Sequence, residues 1–192
     1  MKKVGLFFGS FNPVHNGHLM LANYLLEYVP FDEIWFVVSP QNPLKNQDEL
    51  MPEALRLSLV EKAIEGFSRF KACDTEFYLS KPSYTIHTLS ALAGEFPEIE
   101  FYLIMGADSL LNFHLWKDYA TILEKYHLLV YPRKGSLEHH LMKHPSVQLV
   151  DAPLIEVSST FIREAIKQGK DLRFFLPTGV FEMIRQPIDE NK

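Results

Sequence analysis

One stretch near the start of the chain, Gly9-Ser-Phe-Asn-Pro-Val-His-Asn-Gly-His-Leu19, restricts its possible folds more than any other. It follows a short apolar run, Val4 to Phe8, and opens onto Leu19-Met-Leu-Ala-Asn-Tyr-Leu-Leu-Glu-Tyr28, whose apolar residues recur at helical spacing. A strand, a tight turn and a helix are the simplest solution. Gly9, Asn12-Pro13 and Asn16-Gly17 are turn formers, so the backbone between strand and helix folds back on itself. Such a turn aims unpaired N–H groups and the positive end of a helix dipole at one point, which suits an anion. His15 and His18 fall at that same point and add two neutral-to-cationic donors.

The next apolar run, Phe31 to Pro40, suits a buried parallel strand, so the first 40 residues make a βαβ unit with a right-handed crossover. Gln41 to Asp48 is a polar loop at the carboxyl end of that strand, where open α/β sheets keep their ligands, and Lys45 there is a candidate phosphate contact. Pro52 to Phe70 reads as a helix with Leu55, Leu59, Ala63 and Phe67 on one face, and Phe70 to Leu79 as a strand. Lys81-Pro-Ser-Tyr-Thr85 then starts another helix, with Ser83 as N-cap and Ile86, Leu89, Leu92, Ala93 and Phe96 facing inward. Its free amides make a second anion site.

Ile99 to Met105 is the strongest strand by content and ends in Gly106-Ala-Asp-Ser109, where a carboxylate can accept hydrogen bonds from ribose hydroxyls. A helix from about Asp118, a strand from His127 to Arg133, a helical turn from Leu137 to His144 and a short strand from Val147 to Val150 follow. His139, His140 and His144 do not share one helical face, so they read as surface residues rather than a metal set. In the tail, Ser158 or Ser159 caps a helix whose first turn presents Thr160 and, one turn on, Arg163, a cradle for phosphate oxygens.

These pieces predict an α/β protein, a Rossmann-like doubly wound parallel sheet with a C-terminal helical annex, as a single domain over 1–192. The lone cysteine, Cys73, points to a reducing, cytoplasmic setting. No run approaches the ~18 apolar residues of a membrane span. The net charge of −5 disfavours a general nucleic-acid surface. Gly-x-Gly-x-x-Gly and the Walker motif are both absent.

The first stretch resembles the His-x-Gly-His signature of the nucleotidyltransferase superfamily, in which two histidines hold the phosphates of a nucleoside triphosphate. Asn42-Pro-Leu-Lys45, Pro82-Ser-Tyr-Thr85, Gly106-Ala-Asp-Ser109 with Trp116, and Ser158-Ser-Thr-Phe-Ile-Arg163 follow in order. With them the chain from Val4 to about Ile184 resembles the nicotinate (nicotinamide) mononucleotide adenylyltransferases, a bacterial family of NAD biosynthesis. The resemblance implies transfer of AMP from ATP to nicotinic acid mononucleotide, giving deamido-NAD and pyrophosphate, with Mg²⁺ held mainly by phosphates. The partners it implies are these small molecules, with monomer or homo-oligomer left open.

Residue by residue, the resemblance implies that His15, His18 and Arg163 are catalytic. Gly9, Ser10 and Phe11 join both histidines around ATP, and Lys45 neutralises phosphate charge. Ser159, Thr160 and Arg163 hold the β/γ-phosphates or the leaving pyrophosphate, and Gly106 and Asp108 meet the adenosine ribose. Tyr84 and Thr85 receive the nicotinate carboxylate through backbone donors, and Trp116 stacks on the pyridinium ring. Ser10, Asn12, Lys45 and Arg133 also fall to the pyridine nucleotide, Arg133 as a phosphate contact.

Two positions depart from the family pattern, Asn12 and His87, where Asp is frequent, and both bear on the choice between nicotinate and nicotinamide. Two alternatives stand beside this reading. One is an adenylyltransferase for another phosphate such as phosphopantetheine, which leaves Pro82 to Thr85 and Trp116 without a purpose. The other is a nucleotide-sensing domain without turnover, for which His15, His18 and Arg163 together supply more charge-neutralising groups than binding needs.

Overall fold

β1 (Lys2–Gly9) is apolar on both sides because it lies mid-sheet: Phe7 faces one helical layer, Val4 and Leu6 the other. In the computed structural model, which describes residues 1–41, 50–135 and 139–189, the chain continues through α1 (Asn16–Tyr28), β2 (Glu33–Val38), α2 (Glu53–Ala63), β3 (Phe70–Cys73), α3 (Thr85–Glu95) and β4 (Ile99–Gly106). It then runs through α4 (Ala107–Leu111), α5 (Tyr119–Lys125), β5 (His127–Tyr131), β6 (Val147–Leu149), α6 (Ser159–Lys167) and α7 (Val180–Asp189). The six strands lie in the order β3-β2-β1-β4-β5-β6 with every pairing parallel, the doubly wound arrangement. Leu6 sits between Trp35 of β2 and Leu103 of β4.

Two cores follow from the alternation. Phe7, Ile34, Phe36, Ile104 and Leu129 pack under α1 and α2, and the annex of α6 and α7 adds Ile162 and Val180 to that layer. Leu6, Trp35, Leu103 and Val130 pack under α3 and α5 through Leu89, Leu92 and Ile122. Each fully buried aliphatic side chain contributes about 1.5–3 kcal/mol of transfer free energy, so removing one layer would unfold the sheet. No helix among the described residues is long and apolar enough to cross a membrane.

Several boundaries differ from expectation for local reasons. The first helix begins at Asn16, before its apolar stripe, so the signature's Gly17 and His18 lie inside it. The helix expected to reach Phe70 ends at Ala63; Ile64 caps it, Gly66 turns the chain at φ 86°, and Phe67 is 60% exposed rather than inward. The strand expected from Phe70 to Leu79 stops at Cys73, because a 3₁₀ turn at Thr75–Tyr78 lifts the chain off the sheet and buries Glu76. Tyr84, not Ser83, holds the N-cap position of α3. Lys45 lies outside the described residues.

Candidate active site

The strand order reverses between β1 and β4, and the carboxyl ends of these strands leave a crevice there. It holds two clefts. One, of about 580 Å³, takes in the turn from Gly9 to Asn12, His15, His18, Asp108, Arg133, Ser158 to Thr160 and Arg163. The other, of about 420 Å³, takes in Ser39, Glu76, Ser83 to Thr85, Gly106, Trp116 and Lys117. Gly9, Ser10, Ser109 and Tyr131 belong to both walls.

The turn is tight because its residues pack on one another. Phe11 lies at φ 43°, a left-handed conformation that costs a bulky residue on the order of 1–3 kcal/mol. Its ring is 1% exposed and passes beneath Gly9, where a Cβ would come within 2.9 Å of a ring carbon. Past the turn, the His15 N–H donates to His18 Nδ1 at 3.2 Å, and the His18 N–H donates to the His15 carbonyl at 2.9 Å. A lone pair engaged at Nδ1 places the His18 hydrogen on Nε2. The two imidazoles stack at 3.7 Å.

His15 is 4% exposed, and burial, assisted by the nearby Arg133 charge, lowers its pKa from 6.5 to about 4. At neutral pH it is an uncharged donor or acceptor rather than a cation, which narrows the neutral-to-cationic expectation. A Cβ on Gly17 would lie 3.0 Å from His15 Nδ1, so a side chain there would press on that ring.

The far end of the chain fixes the same turn. Arg163 Nη1 donates to the Asn12 carbonyl at 3.0 Å, and Ser159 Oγ donates to the Pro13 carbonyl at 2.9 Å. Asn16 Nδ2 donates to Phe174 O at 2.8 Å and Leu176 O at 3.2 Å. Ser158 is the cap of α6, accepting from the Phe161 N–H at 3.2 Å. Thus the Ser159 hydroxyl proton holds backbone, and Thr160 joins Arg163 on the wall of the first cleft. The Asn12 side chain accepts from the Met51 N–H at 3.0 Å, so its amide also anchors the turn.

In the second cleft α3 starts with Tyr84 and Thr85, whose amides have no acceptor within the helix. The Trp116 ring rests on Phe113 at 5.2 Å, and Lys117 Nζ sits 4.6 Å over the Tyr84 ring. Below them Glu76, 2% exposed, accepts from Thr88 Oγ1 at 2.9 Å, and burial raises its pKa. Gly106 lines this second cleft, whereas Asp108 lines the first with Arg133, 3.7 Å from Arg133 Nε. Arg133 lines the first cleft and not the second, so its charge lies on the side of the two histidines. A Cβ on Gly106 would press on the Asp108 carboxylate and the Arg133 stem, both exposed side chains able to shift.

Arg56 and Glu76 are buried polar residues that sequence reasoning missed. Arg56 sits beside Leu55 and Leu57 in a helix without a marked apolar face, and nothing local marks it as inward-facing. Of the helices that start at the clefts, α1, α3 and α6 carry no acidic residue in the first turn, whereas α4 carries Asp108. Among the described residues no group of three His, Cys, Asp or Glu is arranged to hold a metal ion.

The chain matches the cytidylyltransferase-like family model over residues 6–165. It is 51% identical over 187 residues to a Bacteroides fragilis protein named "Probable nicotinate-nucleotide adenylyltransferase", covering 97% of this chain and 93% of that one. A protein of the same name from Azobacteroides pseudotrichonymphae is 51% identical over 179 residues, covering 93% and 94%. In fold, the chain is similar to Plasmodium falciparum nicotinic acid mononucleotide adenylyltransferase complexed with NaAD, at TM-score 0.81 and 18% identity over 97% of this chain and 96% of that one.

Proposed function

This chain belongs to the nicotinate-nucleotide adenylyltransferase family, and we propose on that premise that its two clefts seat ATP and nicotinic acid mononucleotide side by side. It transfers AMP from ATP to the mononucleotide, and the products are deamido-NAD and pyrophosphate, a step of NAD biosynthesis. The observation that carries the arrangement is the wall common to both clefts at Gly9 and Ser10, where one cleft's phosphate can reach the other's.

The attacking group is a 5′-phosphate whose second pKa is about 6, so it is largely dianionic at neutral pH and needs no general base. What the protein supplies is alignment and charge stabilisation as the α-phosphorus passes from pyrophosphate to the new oxygen. In this arrangement His18 Nε2–H donates to a phosphate oxygen in the transition state, with neutral His15 stacked behind it. Arg163 and the amide ends of α1 and α6 face the β/γ-phosphates and the leaving pyrophosphate.

Asp108, already beside Arg133, is the one carboxylate among the described residues of the first cleft, a donor set too sparse for a protein-held cation. Mg²⁺ fits as a companion of the triphosphate and supplies charge neutralisation there. Asp108 suits the ATP ribose in the first cleft, whereas Gly106 lies on the wall of the second. The amides of Tyr84 and Thr85 suit the nicotinate carboxylate, and the Trp116 face suits the pyridinium. We place the reaction in the cytoplasm, where a free thiol such as Cys73 stays reduced.

The test is pyrophosphate release from ATP with nicotinic acid mononucleotide, nicotinamide mononucleotide or phosphopantetheine as acceptor. Turnover should be highest with the acid mononucleotide. Equal kcat/KM for acid and amide would remove the role of the α3 amides. Tight ATP binding without release from any acceptor would make the chain a nucleotide sensor.

A further inference from the structure

We propose that Arg56 is a positioning residue for the transfer reaction, holding the Ser10–Phe11 peptide at the wall shared by both clefts; this rests on the adenylyl-transfer reading above. Arg56 is 1% exposed in the first turn of α2. Its guanidinium donates from Nη1 to Ser10 O at 2.6 Å and Ser39 O at 2.7 Å, from Nη2 to Pro40 O at 3.1 Å, and from Nε to Met51 O at 3.0 Å. One side chain therefore joins the turn after β1, the chain leaving β2 and the start of α2.

All four acceptors are neutral carbonyls. Burial lowers the pKa of the guanidinium, opposed by the nearby Glu53 charge. A buried cation is an expensive way to fill space, and an apolar side chain of similar volume is commonly neutral or better for stability. The arginine's distinctive property is its planar fork, which fixes several carbonyl directions at once.

The direction fixed at Ser10 matters because a peptide is planar and trans, so the Phe11 N–H points away from the Ser10 carbonyl. With that carbonyl held by Arg56, the amide faces away from the α2 side. Phe11 does not choose this geometry by itself, since its φ of 43° is unfavourable for a phenylalanine. Arg163 takes the next carbonyl but one, Asn12 O, so two guanidinium groups bracket Phe11. Arg163 lines the first cleft; Arg56 is absent from the described lining of either cleft and acts through the turn.

Arg56→Lys and Arg56→Gln keep a donor but lose the four-carbonyl fork. The experiment measures kcat and both KM values of the full chain well below each variant's Tm. It adds the affinities for ATP and for adenosine, which lacks the phosphates. Folded variants should lose about 30- to 100-fold in kcat, with both KM values raised together by less than about 10-fold. ATP affinity should fall about 5- to 10-fold while adenosine affinity stays within about 2-fold.

Wild-type kcat in either folded variant would overturn the assignment. So would loss of folding in both, which would make Arg56 a scaffold residue only. If the wild-type chain released no pyrophosphate, the reaction reading would fall. The ATP-to-adenosine ratio would still decide whether Arg56 orders the phosphate-facing turn.

Discussion

The two clefts share a wall yet are built on opposite principles. In the first, polar side chains are spent on backbone: Arg163 on Asn12, Ser159 on Pro13, Asn16 on Phe174 and Leu176, and the His18 ring on the His15 amide. The ligand-facing donors are thereby held in place before substrate arrives. In the second, a helix start, a tryptophan resting on Phe113 and the buried Glu76 form a surface that, on the proposed reading, selects by shape and polarity. The contrast matches the two tasks. Charge developing at phosphorus rewards fixed donors, whereas choosing an acceptor ring rewards fit.

The largest expected effect falls on the rigid cleft. His18→Ala should lower kcat by about 10²–10³-fold while far-ultraviolet circular dichroism stays unchanged, because a preorganised donor is lost. Near-normal kcat would erase the distinction between the clefts. Next is acid stability. The His15 pKa of about 4 against 6.5 in the unfolded chain means that stability is complete above pH 6.5 and is lost as pH falls toward 4. At about 1.36 kcal/mol per pH unit this amounts to about 3 kcal/mol. His15→Gln should flatten that slope in denaturant titrations, and an unchanged slope would mean that another group governs it.

Smaller effects belong to the second cleft. Trp116→Ala should raise KM for the pyridine mononucleotide about 2- to 30-fold and leave KM for ATP nearly unchanged, as expected for a stacking contact of about 0.5–2 kcal/mol. A defect confined to ATP would put Trp116 on the wrong side of the comparison. Smallest is Glu76→Gln. Burial raises the Glu76 pKa, so the native state keeps a proton that the unfolded chain releases near 4.5. Stability is then full below that value and falls as pH rises through the native pKa. The variant, which keeps an acceptor for Thr88, should show a smaller drop in Tm between pH 5 and 8 than the parent.

The same contrast governs what could be read from the chain alone. The first cleft is announced by contiguous residues, Gly9 to His18 and Ser158 to Arg163, whose turn formers and cap also dictate local backbone. Those backbone effects are local, so the signal is local, even though Ser159 and Arg163 then bond across the fold. The partners of Arg56 come from three separate segments, at Ser10, Ser39–Pro40 and Met51, and no pattern around α2 reports that meeting. Glu76 was hidden inside an apparent strand, because the 3₁₀ turn that buries it depends on packing against Thr88 of α3. Gly66 was a usable stop signal for α2, at φ 86°, and attending to it would have left Phe67 outside.

The contacts from Ser159 and Arg163 reach back 146 and 151 residues to Pro13 and Asn12. On the ribosome, the segment bearing both imidazoles is therefore made early but lacks its late-arriving braces until most of the polypeptide has emerged. At roughly 5–20 residues per second that interval is on the order of ten seconds to half a minute. A nascent chain thus gains the Arg56 and Met51 contacts to this turn well before those from Ser159 and Arg163, so its phosphate-facing loop is braced in two instalments.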